Sequence, residues 1–187
     1  MGECGVSASR KTYVVAAFAA FALSTPHASA TDISNSITND TTWSLDGSPY
    51  RLTQSIAVSP GVCLRINPGV RVQIPYFATL TVRGALVAEG AETQPIAFAK
   101  PDGGYRCGKI LFEGAHYANC ATGSLTFCSF SEAYASPMVY ARYTDLYCAD
   151  STFSNLSTRA ALRAVDSTVS IVRNLFADTG EAINAVD

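Results

Sequence analysis

From about Ser124 onward, apolar and polar positions return in the same order with a fixed period. Phe130, Phe153 and Phe176 mark the interval. Other columns keep step with them: Leu125, Cys148 and Ile171; Val139, Leu162 and Ala185; Cys128, Ser151 and Asn174. Within each unit the apolar residues come in short alternating bursts, such as Leu125-x-Phe127 and Val169-x-Ile171, with Ser, Thr, Asn and Asp between them. Alternation sends successive side chains to opposite faces of an extended chain, so each burst reads as a short strand. A helical repeat needs sustained 3.6-residue periodicity, which this chain lacks. Short strands that return to one column predict a parallel coil, with equivalent residues stacked ~4.8 Å apart. The Phe column then fills an inner corner and the aliphatic columns fill the strand faces. Cys148, in a Leu/Ile column, reads as a small buried hydrophobe rather than a nucleophile.

The earlier half follows the same logic less strictly. Ile56-x-Val58, Leu64-x-Ile66, Val70-x-Val72-x-Ile74, Leu80-x-Val82, Leu86-x-Ala88 and Ile96-x-Phe98 alternate, and Pro60-Gly61 and Pro68-Gly69 punctuate them as turns. The stretch from Lys100 to Asn119 loses the register and reads as one coil with a protruding loop. Residues 31–55, which hold the only Trp, Trp43, read as an N-terminal cap region with Trp43 and Tyr50 helping to cover the open end. Residues 56–187 read as the coils. The expected class is all-β, a right-handed parallel β-helix with coils of about 23 residues.

Residues 1–30 read differently. Arg10 and Lys11 precede an apolar run from Tyr13 to Leu23, and Ala28-Ser29-Ala30 is a small-x-small cleavage site. That is the pattern of a signal peptide cut after Ala30, and the run is too short for the ~20 residues a bilayer span needs. The expected destination is outside the cell or on its surface. The remainder carries 11 basic and 14 acidic residues, a net charge of −3, and no basic cluster. Nucleic acid is not an expected partner.

The segments 41–74 (TTWSLDGSPYRLTQSIAVSPGVCLRINPGVRVQI) and 78–99 (ATLTVRGALVAEGAETQPIAFA) resemble the opening coils of the pectin-lyase-like superfamily of right-handed parallel β-helices. Segments 124–133 (SLTFCSFSEA) and 167–185 (STVSIVRNLFADTGEAINA) resemble recurrent coils of its bacterial secreted and surface group. The resemblance implies a fold more than an activity, because lyases, hydrolases, epimerases, adhesins and stalks share that architecture. The superfamily's enzymatic signatures are missing: no Asn-Thr-Asp with Asp-Asp and Gly-His-Gly, no Arg-x-Pro-x-x-Arg, no Asp-Pro-His-Glu. No catalytic residue is therefore assigned, and His116, the one histidine after the signal segment, reads as structural.

The repeat register brings other groups together. Tyr140 and Arg163 share a column and Tyr143 stacks with Asp166, which makes Tyr140, Tyr143 and Arg163 the candidate ligand contacts, suited to sugar rings or to a protein partner. Counting back one period puts Tyr117 beneath Tyr140. Glu132, Asn155 and Asp178 form an oxygen-rich column, a weak Ca²⁺ candidate that reads more simply as a solvated turn position. Asp150 and Arg173 stack as an exposed ion pair. Cys107 and Cys120 flank the irregular loop and are placed for a disulfide. The segment Ala182 to Val186 reads as the start of a further strand, an open edge through which copies would associate. The expected role is a secreted or cell-surface scaffold or binding module for an extracellular polysaccharide or a surface protein. The alternative is a polysaccharide-active enzyme or a fragment of one.

Overall fold

The computed structural model describes residues 30–115, 121–133, 137–156 and 160–186. The segment up to Ser29, read from the sequence as a signal peptide, lies outside them, as do His116, Tyr117 and Cys120.

The alternating bursts are strands, and they recur in a fixed order. After β1 (Thr31–Ile33) and β2 (Thr41–Trp43), the chain runs through β3 (Tyr50–Leu52), β4 (Ile56–Val58) and β5 (Cys63–Ile66). The next coils are β6 (Arg71–Gln73), β7 (Thr79–Val82) and β8 (Ala85–Glu89), then β9 (Ile96–Ala99), β10 (Lys109–Glu113) and β11 (Ala121–Thr126). They continue with β12 (Cys128–Ser131), β13 (Val139–Arg142) and β14 (Thr144–Ala149). The last are β15 (Thr152–Ser154), β16 (Ala160–Val165) and β17 (Thr168–Val172), followed by β18 (Leu175–Ala177) and β19 (Glu181–Val186).

Each strand pairs in parallel with its equivalents one coil away. Sheet A is β1-β3-β6-β9-β12-β15-β18, sheet B is β4-β7-β10-β13-β16-β19, and sheet C is β2-β5-β8-β11-β14-β17. The molecule is an all-β parallel solenoid of about six turns. Residues 31–55 already follow this path, with β1 and β3 in sheet A, β2 in sheet C, and Ile37 bridged to Val58 beside sheet B. Trp43 and Tyr50 stack at 4.8 Å within this first stretch, and both are buried.

One face of every strand points inward. The Phe column runs further back than the regular interval reveals. Phe98, Phe130, Phe153 and Phe176 stack with successive ring separations of 5.1, 4.5 and 5.0 Å. Phe98 is hidden because two long bends, from Ala99 to Lys109 and above all from Glu113 to Ala121, lengthen its coil beyond the period. Tyr140 likewise pairs with Leu111 of the preceding coil, and not with the residue one period back.

The bends have a common backbone solution. Phe127, Asp150 and Arg173 turn sheet C into sheet A, Glu132, Asn155 and Asp178 turn A into B, and Tyr143 and Asp166 turn B into C. All eight have positive φ, between 45° and 58°. Asn and Asp tolerate that conformation, whereas a bulky residue there costs on the order of 1–2 kcal/mol. Bends interrupt the backbone ladder, and side-chain oxygens of the next coil replace it. Cys128 N donates to Ser151 Oγ at 3.0 Å and Ser151 N donates to Asn174 Oδ1 at 2.8 Å. In the earlier coils the acceptor sits on the preceding coil instead, where side-chain oxygens of Asp40, Ser48 and Ser55 accept from the backbone N–H groups of Cys63, Arg71 and Thr79.

Bend lengths are uneven in a way that matters for the surface. From β12 onward the B-to-C and C-to-A bends have one or two residues. The successive A-to-B bends have three, five, nine, seven, five and three. The A-to-B edge is therefore a ridge of loops, highest at mid-length, along one margin of sheet B.

Cys120, the partner that the loop spacing suggests for Cys107, lies outside the described residues, and Cys107 is a free, buried thiol. Its backbone is bridged to Pro75 and to Ala133, and the side chain is enclosed by the core at the foot of the loop.

Candidate functional site

Three outer faces are available to a partner. Sheet A presents Arg71, Ala97, Ser129, Thr152 and Leu175 in one row, with Arg71 already paired to Asp102. Sheet B is chemically richer. Its central outward row is Ala57, Thr81, Leu111, Tyr140, Arg163 and Asn184. Beside it run Glu113, Arg142, Val165 and Val186, and Lys109 opens β10 next to Thr79. From β4 to β16 the outward charges are Lys109, Arg142 and Arg163 against Glu113, although the whole chain has a net charge of −2. Only β19 adds a second carboxylate, Glu181, which accepts a 3.0 Å bond from Asn184 Nδ2.

The structure brings Tyr140 and Arg163 together, as their shared column predicts. The Arg163 guanidinium carbon lies 5.7 Å from the Tyr140 ring centroid, with Tyr140 half-buried and Arg163 exposed. A second pair repeats the contact at the edge of the face, where Arg142 sits 5.1 Å from the ring of Tyr143. A cation over an aromatic face is attracted by the ring quadrupole, and the contact restricts the long arginine arm. The hydrogen bond with Tyr143, and more weakly the charge of Glu113, hold Arg142 above its usual pKa.

Beyond that edge, at the B-to-C bend, lies an open groove of about 410 Å³. Pro60, Arg83, Glu113, Gly114, Arg142 and Tyr143 line it, and Arg83 Nε pairs with Glu113 Oε2 at 3.0 Å. The bend packs tightly behind it: a Cβ on Gly114 would lie 1.8 Å from the Tyr143 carbonyl oxygen. Gly114→Ala is expected to force the two coils apart and cost about 2–4 kcal/mol, read as a lowered urea midpoint. An unchanged midpoint would show that the bend yields freely.

The remaining predicted positions fall elsewhere. Glu132, Asn155 and Asp178 occupy the left-handed A-to-B bends, and Glu132 pairs with Lys100 at 3.3 Å. That column contributes one side chain per coil, and among the described residues no group of three His, Cys, Asp or Glu side chains is placed to hold a metal. Asp150 and Arg173 form the expected exposed pair, at 2.6 Å. No helix of the described residues is long and apolar enough to cross a membrane.

The sequence reading missed the aromatics of the A-to-B ridge. Tyr76, Phe77 and Tyr105 are 54, 62 and 70 % exposed. The antiparallel bridge between Pro75 and Cys107 places these two loops side by side. The available signal was Tyr105 on the nine-residue bend, since loops on a rigid scaffold commonly carry recognition. Comparison of the chain with protein-family models, with curated proteins and with solved structures gave no match.

Proposed function

We propose that this chain is a secreted β-helical binding module, of the kind found in the pectin-lyase-like superfamily, that holds an extended anionic glycan along the outer face of sheet B. The observation that carries the reading is the excess of cations on that face, Lys109, Arg142 and Arg163 against Glu113, in a chain of net negative charge. Two of those arginines are laid against tyrosine rings, which offers charge and an apolar surface together. Rows that repeat every ~4.8 Å suit a polymer whose own repeat is about one sugar ring. Residues 1–30, read as a signal segment, support delivery outside the cell.

Retention on an immobilised polyuronate, compared with a neutral glucan of matched length, tests the proposal. The wild-type chain is expected to bind the polyuronate selectively and to release it as salt is raised. Arg163→Ala should weaken binding about tenfold or more, as expected for loss of a charge-assisted hydrogen bond. Tyr140→Ala should weaken it by a smaller factor. Equal binding of both polymers, or of neither, overturns the reading. New reducing or unsaturated ends in the bound polymer would instead make the chain an enzyme.

A further inference from the structure

The groove at the B-to-C bend is a different kind of place from the open face beside it. Arg83 is committed to Glu113, whereas Arg142 makes no ion pair among the described residues and lies against Tyr143. A planar guanidinium whose arm is already fixed presents its donors to a planar or tetrahedral oxyanion at little further ordering cost. The volume of about 410 Å³ is at the small end of ligand pockets and leaves room for a sugar ring.

Tyr143 adds a second, independent observation. It is the whole of the bend between β13 and β14, a single residue at φ 52°. One coil later the same conformation is taken by Asp166 at φ 45°, a residue type that tolerates it. A tyrosine at such a position is disfavoured by its own backbone, a cost that Phe127 bears at another bend as well, and here the bend fixes where the ring stands. The ring lines the groove and backs the guanidinium.

We infer that this groove is an oxyanion subsite in which Arg142 binds a carboxylate or sulfate borne on a single sugar ring, with Tyr143 held left-handed to position the guanidinium. The inference rests on the proposed glycan-binding role of sheet B and deepens it. Glucuronate, glucose 6-sulfate and glucose, titrated separately into the full chain and followed by NMR, test it. At least one of the two anions is expected to bind and glucose is not, and whichever anion binds identifies the oxyanion. Arg142→Gln should weaken that anion at least tenfold, while Arg65→Ala, on the exposed face of sheet C, leaves it unchanged. Tyr143→Phe should keep the fold and lose only part of the binding, because the ring stays while the hydroxyl that hydrogen-bonds the guanidinium goes. Tyr143→Asn should lose binding yet raise Tm by about 2–4 °C, the shift for relief of about one kcal/mol in a domain this size. Equal behaviour of the anions and glucose, or full binding by Tyr143→Asn, overturns the subsite. If polyuronate is retained but no monosaccharide anion binds, only the subsite fails. If neither binds, the proposed function fails with it.

Discussion

Stability is expected to fall steeply once the pH rises above about 9. Cys107 and Cys148 are completely buried, and burial pushes both thiols up to about 12. Burial also raises Cys128, and the nearby Cys148 adds to that effect. Below pH 9 the folded and unfolded chains both keep these protons, so the thiols contribute no pH dependence. Between the ordinary value of 9.0 and about 12 the unfolded chain releases protons that the folded chain retains. The unfolded state then binds fewer protons, and stability declines with pH by about 1.4 kcal/mol per unit for each thiol. Cys107 and Cys148 together remove about 4 kcal/mol by roughly pH 10.5. Urea unfolding of the reduced protein at pH 8 and pH 10.5 measures the difference. Cys148→Val should cut the slope markedly, which separates the thiols from other groups that titrate in alkali. A midpoint that does not move between the two pH values would mean that these thiols reach solvent in the folded chain.

The second large effect lies in the aromatic ladder. Phe153 is fully buried between Phe130 at 4.5 Å and Phe176 at 5.0 Å. Removing its ring loses the transfer energy of the side chain and leaves a void that the flanking rings, fixed to their own strands, cannot close. Phe153→Ala is expected to cost about 3–5 kcal/mol. For a chain of this length that corresponds to a drop in Tm on the order of 10 °C. Phe153→Leu should cost much less, because it keeps most of the apolar volume. Phe176→Ala should also cost less, since Phe176 is only partly buried and has one stacked neighbour in the ladder. Calorimetric scans of the three variants check the order. Equal losses for Phe153→Ala and Phe176→Ala would mean that stacking on both sides adds nothing.

Much of this architecture is legible in the sequence because a solenoid writes its geometry as a period. Phe130, Phe153 and Phe176 stack as their spacing requires, and Asp150 finds Arg173. The period fails where a bend changes length. Phe98 joins the ladder across a coil lengthened by the bends after Ala99 and after Glu113, and the second of these makes Leu111 take the place beneath Tyr140 that simple counting gives to Tyr117. The candidate site was half visible for the same reason. Tyr140 and Arg163 lie one period apart, but Lys109, Glu113 and Arg83 join their face only once the register of β7, β10 and β13 is known. The left-handed bends were partly visible too. Asn155, Asp166 and Asp178 are residue types that favour such a conformation, while Tyr143, Phe127 and Glu132 give no such sign and are placed there by the strands on either side.

The parallel pairing of each strand with its equivalents one coil away has a consequence for how such a chain changes over generations. A barrel or a propeller must satisfy a closure condition, so adding one element disturbs all the others. Here no such condition exists: a single repeat unit such as 144–166 could be duplicated or deleted, and its neighbours would meet the same pairing partners and the same side-chain acceptors as before. The length of the outer faces is then a freely inherited quantity, while the chemistry of each coil can change independently at its longest bend.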